Sequence, residues 1–106
     1  MCGVAGFYLL PGSSVSQDWL NSACASLSHR GPDDHGVFHD CEQGIGLIHT
    51  RLSILDPSFM GHQPMFSSDS SVVLSFNGEI YNFRELRAEL EACGSIFTGE
   101  SDTEGL

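Results

Sequence analysis

A chain of 106 residues holds one domain with a modest core and falls short of two ordinary ones. Hydrophobic residues make up 41% and charged residues 17%, which is a globular and not a disordered balance. Fourteen Asp and Glu stand against four Arg and no Lys, for a net charge of -10. Such a surface repels phosphate backbones and anionic membranes, so nucleic acid and lipid are poor partners. No stretch approaches the roughly 20 apolar residues of a membrane helix, and the first residues lack the basic start and apolar run of a secretory signal, so the expected location is the cytoplasm. Cys2, Cys24, Cys41 and Cys93 are scattered with no CxxC pair, which argues against a zinc ribbon and a disulfide framework. Cys24, Cys41 and Cys93 read as small apolar fillers.

In chain order, GVAGFYLL from Gly3 to Leu10 is a short apolar run bounded by Pro11 and Gly12, and it predicts a buried strand beginning at Cys2. Trp19, Leu20, Ala23, Cys24 and Leu27 then repeat at helical spacing, with Ser16 as cap and Gly31 beyond the end. RGPDDHG is a turn cluster. Two β-like segments, GVFH and IGLIHTRLSIL, follow before DPSFMGHQP breaks the pattern. Asn77-Gly78 between two β-prone runs has the composition of a two-residue hairpin. NFRELRAELEACG is an amphipathic helix with Asn82 as cap, Glu85 three residues on, Leu86 and Leu90 on one face and Gly94 after it. In SDTEGL, Ser101 or Asp102 reads as the cap of a further helix. A helix starting so close to Leu106 leads us to expect a piece of something longer.

Cys2 has two readings: a small residue at the head of an early strand, or a nucleophile exposed by removal of Met1. The second has a chemical logic. A thiol is only a few per cent thiolate at neutral pH and needs a base, and a terminal α-amine titrating near 8 lies within reach of its own side chain. The small side chain at position 2 is compatible with loss of Met1. His35, His39 and Cys41 suggest a metal site on spacing alone, but a strand through Gly36, Val37 and Phe38 holds the two histidines too far apart to share one ion. His29, His49 and His62 read as packing or turn residues, and no metal site is expected.

MCGVAGF, HRGPDDHG, HTRLSILD, GHQPM, FNGEIYNF and SDTE, in that order, resemble the class II glutamine amidotransferase domain, most of all that of glutamine-hydrolysing asparagine synthetases. The likeness runs from Met1 to Glu104. It implies an α+β fold, the amino-terminal part of a four-layer α-β-β-α N-terminal-nucleophile hydrolase sandwich with mostly antiparallel sheets. It also implies that residues 1–106 are only the amino-terminal portion of that domain, with the synthetase domain absent. Gly105 departs from the apolar helix that usually follows an SDTE-like motif.

By the same resemblance, Cys2 attacks the side-chain amide of glutamine, and the side-chain amide of Asn77 with the backbone N–H of Gly78 forms the oxyanion hole. Arg51 takes the substrate α-carboxylate, a match for its planar fork of donors. Backbone of Leu52, Ser53, Ile54 and Leu55 lines the site. Asp102 pairs with the α-ammonium, assisted by Glu79. Each residue also has a plain reading: a hairpin turn for Asn77-Gly78, a surface charge for Arg51 and a helix cap for Asp102. Arg30, Gly31, Pro32 and Asp33 fit a helix-ending turn and a pocket-framing loop alike. Gly3 and Gly6 are candidates for close approach of backbone to the pocket. No cofactor is implied in this segment; ATP and Mg belong to the synthetase domain, which would pass ammonia to aspartate, and a homodimer is compatible with the full enzyme. An inactive glutamine-binding or interaction module and a small free-standing hydrolase are the competing readings.

Overall fold

The computed structural model describes residues 1–53 and 59–106. Three strands, β1 (Gly3–Tyr8), β2 (Asp34–Asp40) and β3 (Ile45–Arg51), form an antiparallel sheet in the order β1-β3-β2. The register runs from Gly3 opposite Thr50 to Tyr8 opposite Ile45, and from Asp34 opposite Arg51 to Asp40 opposite Ile45. The two-residue period of a strand then sends Ile48 and Thr50 to one face and His49 and Arg51 to the other.

Helix α1 (Gln17–Leu27) covers the first face. Ser16 caps it as expected, its Oγ accepting the Trp19 N–H at 3.2 Å. Leu20 and Ile48 are the buried apolar centre of this layer. Phe7 meets Trp19 edge-on with centroids 5.5 Å apart, and Thr50 Oγ1 donates to the Leu27 carbonyl at 3.0 Å. Gly3 serves this packing and not the pocket: a Cβ there would lie 2.5 Å from Thr50 Oγ1. Gly6 lies against Gly46 and Leu47, so neither glycine plays the pocket role expected of it.

On the opposite face lies a two-stranded ribbon, β4 (Met65–Phe66) with β5 (Val73–Leu74). Phe66 meets Phe38 of β2 edge-on at 5.7 Å. The chain reverses between these strands, where Asp69 Oδ1 accepts from the Ser67 hydroxyl at 2.7 Å and from the N–H and hydroxyl of Ser71 at 3.1 and 2.8 Å. Those donors pull the Asp69 carboxyl down to about 2. The expected hairpin at Asn77-Gly78 is therefore corrected: the reversal is at Ser67–Val72, and no strand follows Gly78 among the described residues.

Helix α2 (Phe83–Ala92) packs on the 3-10 turn Asp102–Gly105. Asn82 occupies the capping position, but its side chain makes no capping bond, and the Asn82 backbone at φ -97 and ψ 23 lies outside the extended region of the usual cap. The other end matches expectation. Gly94, at φ 97, lets the Ser95 N–H reach the Leu90 carbonyl at 2.9 Å and its own N–H reach Glu91 at 3.0 Å. Ser101 caps the final turn, its Oγ accepting from the Thr103 N–H at 3.2 Å.

The predicted first strand is shorter than expected, ending at Tyr8, and the third ends at Arg51, before Leu52 and Ser53. Cys24 is half-buried, and burial pushes its thiol up, whereas Cys41 and Cys93 are exposed and fill no core. No helix among the described residues is long and apolar enough to cross a membrane.

Gly31 is buried against the Thr50–Arg51 peptide, where an added Cβ would collide with backbone. Since backbone cannot move aside as a flexible side chain can, we expect Gly31→Ala to cost about 2 kcal/mol, within the range for overpacking. Thermal unfolding should show a fall in Tm of roughly 8 to 16 °C at that cost. Gly105→Ala, which meets no heavy atom within 4 Å, should leave Tm nearly unchanged.

Candidate functional site

Cys2 sits half-buried just ahead of β1, one step beyond the Gly3–Thr50 pair. Its Sγ accepts the Leu52 N–H at 3.3 Å and points toward the Leu52 carbonyl at 3.7 Å. The backbone on both sides is fastened by the RGPDD turn. Arg30 Nε donates to the Cys2 carbonyl at 3.3 Å, the Asp33 N–H donates to the Arg51 carbonyl at 3.0 Å, and Asp33 Oδ2 accepts the Ser53 N–H at 2.7 Å. The helix-ending turn thus fastens the backbone of Cys2, Arg51 and Ser53, while none of Arg30, Gly31, Pro32 and Asp33 lines the cavity that Cys2 faces.

Arg51 closes β3 with 8% of its surface exposed, and its guanidinium rests on Gly61, where a Cβ would occupy the same space. Asn77, Gly78 and Glu79 form an exposed loop after β5. Asp102, 6% exposed, accepts the Ile80 N–H through Oδ2 at 2.7 Å.

These segments surround a cavity of about 320 Å³. Cys2, Arg51, Leu52, Asn77, Gly78, Glu79 and Asp102 all line it, together with Met1, Gly61, Gln63 and Phe76. Ser53 is not among the lining residues, and Ile54 and Leu55 fall outside the described ones. The wall therefore carries a guanidinium, two carboxylates, a thiol and two amide side chains. That set matches a molecule bearing a carboxylate, an ammonium and an electrophilic carbonyl.

A family model, the glutamine amidotransferase domain, matches residues 1–106. The chain belongs to that family. It is 42% identical, over its whole length, to asparagine synthetase [glutamine-hydrolyzing] 1 of Bacillus subtilis strain 168, covering 17% of that protein. It is 50% identical over 87% of its length to asparagine synthetase [glutamine-hydrolyzing] 2 of Oryza sativa subsp. japonica, covering 15% of it. With amidase chry2 of Gibberella zeae it shares 34% identity over 98% of its length and 17% of that protein. The chain thus spans about a sixth of the length of these curated relatives.

Two buried residues of this amidotransferase domain were not legible as site residues. Gln63, 6% exposed, lines the cavity, and its Oε1 accepts the Phe76 N–H at 2.7 Å. Its motif, GHQPM, carries no periodicity from which a buried amide could have been inferred. His49, fully buried on β3, does pack as expected, yet it also bonds the Phe76 carbonyl through Nε2 at 3.2 Å. A carbonyl only accepts, so Nε2 carries the proton. Nδ1 is then a bare acceptor, buried and without a partner among the described residues.

Burial holds the His49 pKa below its ordinary 6.5, the Phe76 carbonyl opposes that shift, Arg51 and His62 deepen it, and Asp34 opposes it. The unfolded chain consequently binds the His49 proton first as pH falls. The stabilisation is complete above about 6.5 and is lost as pH drops through the lower folded value. We expect the urea midpoint to decline as pH falls below about 6.5, and His49→Gln, which keeps a donor but does not titrate, to flatten that decline.

Proposed function

We propose that this domain is the glutaminase part of a glutamine-dependent asparagine synthetase-like enzyme. The observation that carries the reading is the convergence of Cys2, Arg51, Asn77, Gly78 and Asp102, distant in sequence, on one cavity. In the chain as given, Met1 precedes Cys2, and the chemistry begins once Met1 is removed and the Cys2 nitrogen becomes a free α-amine.

Arg51 then takes the α-carboxylate of glutamine as a bidentate donor, and Asp102 with Glu79 takes its α-ammonium. The α-amine of Cys2 accepts the thiol proton, directly or through one water, and the thiolate adds to the side-chain carbonyl carbon. The amide of Asn77 and the N–H of Gly78 donate to the resulting oxyanion. Collapse breaks the carbon–nitrogen bond, and the proton held by the amine passes to the leaving nitrogen, so ammonia departs and a glutamyl thioester remains. The same amine activates a water that cleaves the thioester, releasing glutamate and restoring the thiol. Leu52, whose N–H already points at Sγ, is a donor for the thiolate.

By likeness to the relatives, the ammonia goes to aspartate in a synthetase domain that uses ATP and Mg, and no residue of this segment is assigned to either. The segment is the amino-terminal portion of an N-terminal-nucleophile hydrolase with four layers, working in the cytoplasm, and a homodimer fits the complete enzyme. In keeping with a layered arrangement, α1 packs on one face of the three-stranded sheet and Phe66 of the β4–β5 ribbon touches Phe38 on the other.

Glutamate release from glutamine, followed together with the mass of the amino terminus, tests the reading. We expect glutamate release only from chains that have lost Met1, its abolition by Cys2→Ala, and a fall in kcat of about 10²- to 10³-fold in Asn77→Ala. Arg51→Lys should raise KM, because an ammonium cannot reproduce the bidentate fork. Glutamine binding without glutamate release from Met1-free chains would make this a binding module instead.

A further inference from the structure

The loop Asn77–Glu79 has no strand partner, yet both of its flanks are held by buried side chains from elsewhere in the chain. On one side, the Phe76 peptide is gripped twice: its N–H donates to Gln63 Oε1 at 2.7 Å and its carbonyl accepts from His49 Nε2 at 3.2 Å. On the other, the Ile80 N–H donates to Asp102 Oδ2 at 2.7 Å. The two grips are themselves joined. Gln63 Nε2 donates to Thr103 Oγ1 at 3.3 Å, and Thr103 is the neighbour of Asp102. His49 is fully buried, and Gln63, Asp102 and Thr103 are 4–6% exposed.

The chemistry of Gln63 leaves no freedom in this arrangement. A backbone N–H only donates, so Oε1 must face Phe76, and Nε2 is thereby turned to the Thr103 hydroxyl. Both ends of one amide are used, which a hydrocarbon of equal length cannot imitate and an unsatisfied buried N–H would penalise. Gln63 is also fixed from behind: Gly36 of β2 lies against the Gln63 carbonyl, leaving no space for a Cβ. A buried amide bonded at both ends restricts the backbone it holds to few geometries.

We propose that Gln63, acting with His49 and through Thr103, is the positioning residue that holds Asn77 and Gly78 where they face the cavity. Gln63 fixes the backbone from which the Asn77 side chain and the Gly78 N–H project. The positioning itself is a statement about the loop; its effect on turnover rests on the glutaminase reading.

Amide hydrogen exchange on the full chain decides it, with turnover as a second readout. In Gln63→Met, exchange at Phe76 and Ile80 should rise at least tenfold while the Leu47 and Ile48 amides stay as they were, since only the local grip is lost. Gln63→Glu keeps an acceptor for the Phe76 N–H and should restore its protection. Thr103→Val, a milder change should Gln63→Met fail to fold, is expected to loosen the same two amides to a smaller degree. For Met1-free chains, Gln63→Met should lower kcat at least tenfold with KM within about threefold, because misplaced donors act on the oxyanion more than on bound substrate. Unchanged exchange at Phe76 and Ile80, or an equal rise throughout β3, overturns the proposal. A parent chain that releases no glutamate overturns the glutaminase reading while exchange still decides the positioning.

Discussion

The antiparallel pairing of β1 with β3 is the constraint on which the rest of the domain depends. Its register places Thr50 opposite Gly3 and so brings Leu52 alongside Cys2, where the Leu52 N–H meets the sulfur. A slip of one residue would turn His49 and Arg51 into the α1 layer and Thr50 out of it. The pairing is accompanied by close contacts that leave no free space for a Cβ: Gly3 fits under Thr50 and Leu27, and Gly31 fits against the Thr50–Arg51 peptide. Small residues at these positions are what allow an apolar helix layer and a polar cavity to share one sheet.

Beyond the sheet, the ordering of backbone passes from strand ladders to side chains. A two-residue hairpin at Asn77-Gly78 would have paired residues on either side and consumed their N–H and carbonyl groups. Instead those groups are taken by Gln63, His49 and Asp102, which leaves the loop exposed over the cavity and held at its flanks. The tight reversal itself is made a few residues earlier by serines around Asp69. Asn-Gly is a strong signal for a turn because both residues tolerate unusual backbone angles, but that tolerance serves an irregular loop equally well.

What the sequence made legible follows from this division. Elements specified by local patterns, α1 with its Ser16 cap and the Gly94 end of α2, lie where periodicity and capping put them, and the central strands lie within their apolar runs but end sooner. Cys2 was legible as a candidate from its own chemistry, whereas Arg51 and Asp102 were legible through the resemblance of their ordered motifs to the family. Gln63 was not, because nothing local distinguishes a buried, doubly bonded amide from a surface one. At Asn82 the side-chain cap is missing because the backbone, at φ -97 and ψ 23, lies outside the extended region of the usual cap. Non-local hydrogen bonds leave little trace in spacing.

The interior itself is unusual in its chemistry, and this bears on how the domain is held together. Among the described residues, the buried apolar side chains are Leu20 and Ile48, whereas His49, Thr50, Arg51, Gln63, Asp102 and Thr103 are buried polar ones. Apolar burial is forgiving of small shifts, since its energy follows area and not angle. Hydrogen bonds are less so: a buried donor left without its acceptor costs more than the bond was worth in forming. A domain stabilised in this way tolerates few intermediate geometries around its cavity, so the groups that face it are placed by the same contacts that hold the fold. In a chain of net charge -10, Arg51 occupies the one cavity where Glu79 and Asp102 also converge. The cavity wall therefore carries charge of both signs, one guanidinium against two carboxylates.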